Sequence, residues 1–233
     1  EQCTTLHPDT TILDMASGCG TFVFGGLKRG LDMWGVEPEA WKNRFCLQKA
    51  LCYEYPESWS GRFVHAFGEW LPFPEKRFDI VSSYQTLEHV ASVQQCCTEM
   101  LRVVKVGGFL FLHFPDYRSS FEGHYRLPWL PLFPKPCSKQ YLKLLGRPCS
   151  GLDTIHYVTK PSVIREVRRL SFPVEIVDYD RLAMRKRANR MAGRLRNDTC
   201  AYTGAWIVEN VVKRVWRLFR SEKMVTIVIR RVE

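Results

Sequence analysis

The chain has 233 residues, of which 45% are hydrophobic and 25% are charged, and its formal net charge is +10. This composition excludes an intrinsically disordered protein, and the length suits one domain with a substantial core better than two. No apolar run is long enough for a transmembrane helix, and the chain does not open with the pattern of a signal peptide, so we expect a cytoplasmic protein.

Strand and helix patterns alternate over residues 11–114. Helical patterns separate most of the apolar runs, the clearest being 38–50 and 91–104. Alternation of this kind predicts a parallel sheet with right-handed crossovers, that is, a doubly wound α/β fold. The predicted strands are residues 11–15, 33–37, 63–66, 78–83 and 109–114.

The pattern changes after the fifth predicted strand. Residues 115–160 are rich in proline and aromatic residues, and we interpret them as an insertion that covers the open edge of a site. A helix at 161–170 and a strand at 174–178 follow. We expect a basic helical insertion at 181–222, with a helix at 205–219 inside it, and a last strand at 225–232. The whole chain is interpreted as a single domain.

The turn after the first strand carries the main chemical signal. The run Ile12–Thr21 ends a strand in a tight turn of small residues, and a helix starts directly after it. At the carboxyl edge of a parallel sheet, such a turn binds nucleotide-like ligands. Gly18 and Gly20 let the backbone approach a ligand closely, and Glu37 at the end of the next strand can accept both ribose hydroxyls of an adenosine.

The acid at Asp14 discriminates between two adenosine ligands. A dinucleotide site would have a third glycine where this chain has Val23, and Asp14 would add negative charge near the pyrophosphate. S-adenosylmethionine (SAM) has no phosphate, and it carries an ammonium and a sulfonium that a carboxylate attracts. The charge of this turn therefore favours SAM over NAD.

Several motifs occur in the order found in the methyltransferase type 11 family of class I SAM enzymes, which this chain resembles over residues 10–115. They are Ile12–Thr21, Gly35–Pro38, Leu71–Pro74 before Phe78–Val81, Leu87–Val90 and Val106–Gly108. The resemblance implies a Rossmann-like sheet of seven strands, mostly parallel, with an antiparallel last strand. It also implies that SAM is the cofactor and S-adenosylhomocysteine the product.

In that family the first turn holds the methionine part of SAM, the next acid holds the ribose, and the segment before Leu71 holds the adenine. Ala16 stands where a first glycine is usual, and Phe67 stands where many relatives carry an aspartate for the adenine amino group. Phe67 as a stacking partner and Glu69 as a substitute acid are therefore both open. The cofactor residues implied are Asp14, Ala16, Ser17, Gly18, Gly20, Glu37, Pro38, Phe67, Gly68, Glu69 and Tyr84.

His89 is the candidate catalytic residue. It follows the fourth strand near the carboxyl edge, and imidazole is suited to proton transfer near neutrality. A base is needed when the acceptor is a hydroxyl, whereas alignment of acceptor and methyl is needed for any acceptor. Capping a helix or orienting a loop is the alternative role for His89. Candidate acceptor-binding residues are Gln85, Asp116, Tyr117, His124 and Tyr125.

The nine cysteines give no sign of a metal site, because no pair has the C-x-x-C spacing typical of zinc ligands. We expect no metal, and we expect reduced, mostly buried thiols.

The basic segment 181–196, the proline-rich stretch Leu127–Pro134 and the amphipathic pattern at 205–219 make a glycan or lipid-linked acceptor plausible. They also allow peripheral membrane contact through residues 181–220. We therefore expect O-methylation of a small-molecule, glycan or lipid-linked acceptor. The alternatives are a nucleic-acid (RNA) methyltransferase, suggested by the basic charge, and a non-catalytic SAM-fold scaffold that binds a membrane or a protein partner.

Overall fold

The computed structural model describes residue 7, residues 9–179 and residues 223–232. The whole of the insertion predicted at 181–222, with its basic segment 181–196 and the helix predicted at 205–219, lies outside these residues. Within the described ranges, no helix combines the length and apolar character needed to cross a bilayer.

Seven strands form one sheet in the order β3-β2-β1-β4-β5-β9-β8. Neighbouring strands from β3 to β5 are parallel, whereas β9 runs antiparallel to both β5 and β8. This confirms the predicted doubly wound α/β fold with an antiparallel last strand. The strands are β1 Thr11–Met15, β2 Asp32–Val36, β3 Phe63–Val64, β4 Phe78–Tyr84, β5 Val104–Pro115, β8 Val174–Asp178 and β9 Met224–Arg231.

Helices cover the faces of this sheet, and some begin at clear capping residues. Ser92 accepts a hydrogen bond from the Gln95 amide at the start of α3, and Thr159 and Ser162 form a reciprocal capping box at the start of α5. The helices are α1 Thr21–Leu27, α2 Ala40–Cys52, α3 Val93–Val103, α4 Lys135–Leu144 and α5 Lys160–Arg169, with 3₁₀ turns at Glu57–Arg62 and Ser150–Asp153.

The core lies on both faces of the central strands. Leu13 of β1, Val81 of β4 and Leu110 of β5 are completely buried, and they join the inner face of α3 in one apolar cluster. A second cluster around Val23 and Met33 fills the space between α1, α2 and the sheet. Leu110 comes from the uninterrupted apolar run Phe109–Leu112, as expected for a strand covered on both faces. In β1 and β4, by contrast, Asp14 and Asp79 interrupt the apolar residues.

The strand β5 begins earlier than predicted. The sequence predicts a strand at 109–114, but Gly107 and Gly108 also lie inside β5, where Gly107 has φ 79°. The register of β4 against β5 shifts between Phe78 and Ile80. The glycine pair therefore forms an irregular stretch of strand, since glycine tolerates the left-handed backbone conformation that such a stretch needs.

Residues 115–160 contain elements that the sequence did not predict. A short ribbon pairs β6 Phe121–Glu122 with β7 Leu127–Pro128, and α4 follows it. Trp129, Leu142 and Leu152 are buried together and form a small core inside this segment. The segment, called the insertion below, thus has packing of its own.

Candidate functional site

The candidate cofactor residues meet at the carboxyl edge of the sheet. Asp14 of β1 pairs in register with Gly35 of β2 and with Ser82 of β4. The three strands are neighbours and parallel, so the loops after them leave the sheet side by side.

Three residues of the first turn have left-handed backbone conformations: Ala16 with φ 58°, Gly18 with φ 56° and Gly20 with φ 72°. A Cβ atom at Gly20 would lie 2.6 Å from the ring of Phe63, so close packing requires glycine there. At Gly18, by contrast, nothing lies within 4 Å of the Cβ position. The Gly18 backbone therefore faces open space, in which a ligand can approach it.

Two acids flank this turn. The Glu37 carboxylate is buried and accepts hydrogen bonds from the Gly18 amide at 2.9 Å and the Glu39 amide at 3.1 Å, with the Lys42 Nζ at 3.5 Å. The Asp14 carboxylate is also buried and accepts a hydrogen bond from the Ser82 hydroxyl at 3.0 Å. The two acids therefore belong to one cleft.

The pKa of Asp14 is raised to about 6. Burial is the largest cause, the Ser82 hydrogen bond opposes it, and the negative charge of Glu37 raises the pKa further. The pKa of Lys42 is also raised, but for another reason: burial lowers it, and the neighbouring Glu39 and Glu37 carboxylates outweigh burial. An added cation beside Asp14 would restore the charged form of its carboxyl group.

The segment expected at the adenine divides into one exposed and two buried residues. The Phe67 ring is 59% exposed, whereas Gly68 packs so tightly that a Cβ atom would lie 2.1 Å from the Met15 Cε. The Glu69 carboxylate accepts hydrogen bonds from the Ala91 amide at 2.8 Å and the Ser92 amide at 3.3 Å, just before α3. Of the two open alternatives, stacking by Phe67 fits this arrangement better, because Glu69 is engaged at the helix start.

Aromatic side chains lie at the ends of β4 and β5. The exposed Tyr84 ring stacks on His113 with 4.6 Å between ring centres. His113 Nδ1 lies 2.8 Å from the Thr226 hydroxyl of β9. Gln85 has φ 50°, and its amide donates to the His113 carbonyl. The turn after β4 is thus held to the end of β5.

The insertion meets the loop after β4 at two histidines. The rings of His89 and His124 are perpendicular, with 5.4 Å between their centres. Burial lowers the pKa of His89, and positive charge on His124, Lys42 and His156 lowers it further, against a hydrogen bond with the Thr154 backbone. The same Lys42 approaches Glu37, with 3.5 Å between Nζ and Oε1.

The remaining candidate acceptor residues lie deeper. The buried Asp116 carboxylate accepts two hydrogen bonds from Arg118 Nε, at 2.9 and 3.2 Å; burial raises its pKa, but these bonds outweigh burial and lower it. Tyr117 is buried and stacks on Tyr157 at 4.6 Å. Tyr125 packs parallel to Trp129 inside the core of the insertion. Among the acceptor candidates, His124 is the one whose ring meets the ring of His89.

Sequence reasoning missed Glu88 and Glu122. Glu88 is completely buried beside His89, and Glu122 is buried with its carboxylate 2.7 Å from His124 Nδ1. A Glu-His pair and a Glu-x-His triplet are visible in the sequence, but nothing in the sequence shows that the two segments meet.

The first turn and its acids fit SAM. The open face of Gly18, the buried Glu37 carboxylate and an Asp14 carboxyl group whose ionised form a cation would favour are the features that a phosphate-free, positively charged adenosine ligand needs.

Comparisons with known proteins agree with this arrangement. Residues 13–112 match the family model described as a methyltransferase domain. An uncharacterised methyltransferase of Mycolicibacterium gilvum is 34% identical over 114 residues, which are 49% of this chain and 42% of that protein. The match therefore spans less than half the length of either.

Solved structures share the fold at low identity. A SAM-dependent methyltransferase from Mesorhizobium loti aligns over 96% of this chain and 91% of its own, with a TM-score of 0.57 and 14% identity. Phosphoethanolamine N-methyltransferase 2 of Haemonchus contortus, solved with SAM, aligns over 98% of this chain and 50% of its own, with a TM-score of 0.58 and 12% identity. Residues 13–112 of this chain therefore resemble a methyltransferase domain, and the chain shares its fold with SAM-dependent methyltransferases of known structure.

Proposed function

We propose that the protein transfers the methyl group of SAM to a hydroxyl oxygen of a small-molecule, glycan or lipid-linked acceptor. The observation that carries the cofactor part of this proposal is the convergence of Asp14, Gly18 and Glu37 in one cleft. Two acids around a turn whose backbone is open to a ligand suit a cation better than they suit a pyrophosphate.

In this proposal the cofactor lies across the ends of β1 and β2. Asp14 attracts the ammonium of the methionine part, and Glu37 accepts the ribose hydroxyls while it keeps its bond from the Gly18 amide. Phe67, exposed at the next loop, stacks on the adenine. Ala16 and Gly20 shape the turn through their left-handed backbones.

His89 is the proposed group that acts on the acceptor. It lies on the loop after β4, its ring contacts His124 of the insertion, and it is influenced by the charge of Lys42, which also approaches Glu37. A neutral imidazole there can accept the proton of an acceptor hydroxyl as the oxygen attacks the methyl carbon and the sulfonium becomes a thioether. Tyr117 and Tyr125 then act as supports of this loop rather than as direct contacts.

The nature of the acceptor is inferred from the insertion. Leu130 and Leu132 are largely exposed next to the buried Trp129, so the insertion presents apolar side chains to solvent. Basic side chains of α4, such as Lys143, lie in the same segment. A segment that has both exposed apolar side chains and positive charges suits an acceptor with an apolar part and an anionic part, as in a glycan on a phosphate-linked lipid carrier.

The cofactor proposal is tested by filling the open space at Gly18. Asparagine tolerates a left-handed backbone, so Gly18→Asn adds a side chain to the cleft with little strain. Gly30→Asn is the matched control, because Gly30 has φ 77° and open space but lies away from the cleft. We expect SAM binding, measured by calorimetry, to weaken by more than tenfold in Gly18→Asn alone. Wild-type protein that binds NAD and ignores SAM would overturn the proposal.

The acceptor proposal needs a transfer assay with labelled SAM. Hydroxylated small molecules, glycans and lipid-linked glycans are offered separately, and the label is located in the product. We expect transfer to an oxygen in one of these classes, and His89→Ala to lower the rate without changing SAM affinity. Transfer to a nitrogen, or to RNA only, would refute this assignment while leaving the cofactor proposal intact.

A further inference from the structure

Three side chains with metal-binding atoms meet where the insertion reaches the loop after β4. The ligand atoms of Glu88, His89 and His124 all lie within 4.8 Å of one another. Zinc binds histidine nitrogen and carboxylate oxygen at about 2.0–2.2 Å, which places neighbouring ligand atoms roughly 3.3 Å apart. Small rotations of the three side chains would therefore bring their ligand atoms close enough to bind one ion together.

The backbone holds these residues in place. The Glu88 carbonyl accepts a hydrogen bond from the His156 amide at 2.7 Å, and the His89 amide donates to the Thr86 carbonyl at 2.8 Å. The bond to Thr86 lies within the loop after β4, and the bond from His156 ties this loop to the end of the insertion. Binding an ion would thus require side chains to move and not the loop, which keeps the entropic cost of binding low.

Metal-binding histidines usually have a carboxylate or carbonyl bound to the ring nitrogen that does not face the metal, and His124 has such a partner. Glu122 Oε1 lies 2.7 Å from His124 Nδ1, and Glu122 Oε2 accepts the Tyr125 amide at 2.6 Å. A carboxylate on Nδ1 fixes the ring orientation, and Nε2 is the nitrogen that would bind a metal ion, as in carboxylate–histidine–zinc arrangements.

The charges also suit a cation. Glu88 and Glu122 are both buried, and each lies beside one of the two imidazoles. Lys42 and His156 are the positive groups near enough to affect His89, and Lys42 is already paired with Glu37 and Glu39. Two buried carboxylates thus lie at the site, against His156 and a lysine that is already paired with Glu37 and Glu39.

We propose that Glu88, His89 and His124 bind a divalent transition-metal ion of the zinc or cobalt type, with Glu122 as the positioning residue of His124. Two histidines and one carboxylate are a set that catalytic metal sites use, and they leave coordination positions open for another ligand. Cysteine spacing, the signal for a metal site that was sought in the sequence, does not report on histidine and carboxylate ligands.

The ion would change how the proposed methyl transfer starts, and only this part rests on the proposed function. The acceptor oxygen would occupy an open position on the ion, which lowers the pKa of its hydroxyl group. The proton would leave to water, the oxygen would bond to the methyl carbon, and S-adenosylhomocysteine would depart. In that state His89 is a ligand and takes no proton itself.

Cobalt(II) titration of the protein tests the site without any activity measurement. Cobalt bound to nitrogen and oxygen shows ligand-field absorption, whereas exposed thiols such as Cys52 would add a sulfur charge-transfer band. We expect one saturable site without the sulfur band, competed away by zinc. His124→Ala should weaken binding by at least tenfold, and Glu122→Gln should weaken it less.

His156→Ala is the matched control, because His156 is an exposed histidine of the same region that contributes a backbone amide and no proposed ligand. It should leave the cobalt titration unchanged. Absence of saturable binding, a spectrum with sulfur ligands, or equal weakening in His156→Ala and His124→Ala would each overturn the proposal. SAM calorimetry on the same variants separates this failure from a failure of the proposed function.

Discussion

At the scale of single residues, Ala16 shows why its position is usually glycine. Its φ of 58° lies in the left-handed region, where a Cβ atom crowds the backbone. The chain keeps alanine in a turn that requires this conformation, so part of the strain of the turn resides in one methyl group. That strain can be measured.

Replacing Ala16 with glycine should stabilise the protein. The left-handed conformation costs an L-residue about 1–2 kcal/mol, and glycine loses roughly 0.5–1 kcal/mol more backbone entropy on folding. We therefore expect the free energy of unfolding to rise by about 0.5–1 kcal/mol in Ala16→Gly, measured by urea denaturation. Ala50→Gly in α2 is the control and should destabilise by about 1 kcal/mol. Destabilisation in both variants would argue against strain at Ala16.

The raised pKa of Asp14 predicts a pH dependence of SAM binding. With a pKa of about 6 in the free protein, the carboxyl group is charged above that pH and neutral below it. A bound ammonium lowers this pKa, so binding below pH 6 must also expel a proton, and affinity falls by up to tenfold per pH unit as the pH drops. Above pH 7 the Asp14 contribution should be constant. Calorimetry from pH 5 to 8 measures the profile.

Asp14→Asn is the control for this profile, because asparagine keeps the size and a hydrogen bond with Ser82. It should weaken SAM binding at pH 7.5 by about tenfold or more, the usual effect of losing a charged hydrogen-bond partner. It should also remove the fall between pH 6 and 5. If Asp14→Asn keeps the wild-type slope, another group titrates.

Some of the candidate site could be predicted from the sequence because its parts follow strands. Asp14 and Glu37 lie at the ends of neighbouring parallel strands, and such ends converge whatever the rest of the chain does. His124 lies on the insertion, so its approach to His89 depends on packing that no local pattern encodes. Glu69 was a candidate cofactor residue from position, yet its carboxylate meets the start of α3.

At the scale of elements, the strands of the sheet could be predicted from the sequence and the elements of the insertion could not. The reason is again whether the signal is local in the sequence. β1 is buried along its whole length, and β5 carries the apolar run Phe109–Leu112, so the sequence signal of these strands is local. The strands β6 and β7 have two residues each, too few to show a period, and α4 starts among prolines at Pro134 and Pro136. These elements are stabilised by a shared small core rather than by their own sequence pattern.

Leu142 tests whether the insertion depends on that core. It is completely buried against Trp129 and Leu152, so Leu142→Ala should leave a cavity and cost about 2–5 kcal/mol. We expect limited proteolysis to cut within residues 115–160, and acceptor methylation to fall while SAM affinity is retained. Leu144→Ala is the control on the same helix, because Leu144 is 86% exposed. Equal protection of both variants would mean that the insertion does not rely on this core.

At the scale of the whole molecule, the last strand joins parts that are distant in sequence. β9 is the last strand in sequence, but it lies between β5 and β8 and not at an edge of the sheet. Lys223, just before β9, connects to the start of the insertion: its carbonyl accepts the Asp116 amide at 2.8 Å, and its amide donates to the Ser119 hydroxyl at 3.1 Å. Sheet and insertion therefore share one connection at the C-terminal strand.

Arg231 at the end of β9 should be a major contributor to stability. Its buried guanidinium donates from Nη1 to the carbonyls of Leu101 at 2.8 Å, Arg102 at 3.1 Å and Val104 at 2.9 Å, where α3 ends and β5 begins. Arg231→Met removes the donor and leaves buried carbonyls without it, so we expect a loss of about 2–4 kcal/mol in the free energy of unfolding.

Chemical denaturation of Arg231→Met measures this loss, with Arg230→Met as the control. Arg230 is the preceding residue, of the same type, on the same strand, but it is exposed. Substitution there should change stability by less than about 0.5 kcal/mol. The loss at Arg231 should persist in high salt, because a buried guanidinium bound to carbonyls is screened far less than a surface ion pair. Equal effects of the two substitutions would mean that charge, rather than these three hydrogen bonds, fixes the last strand.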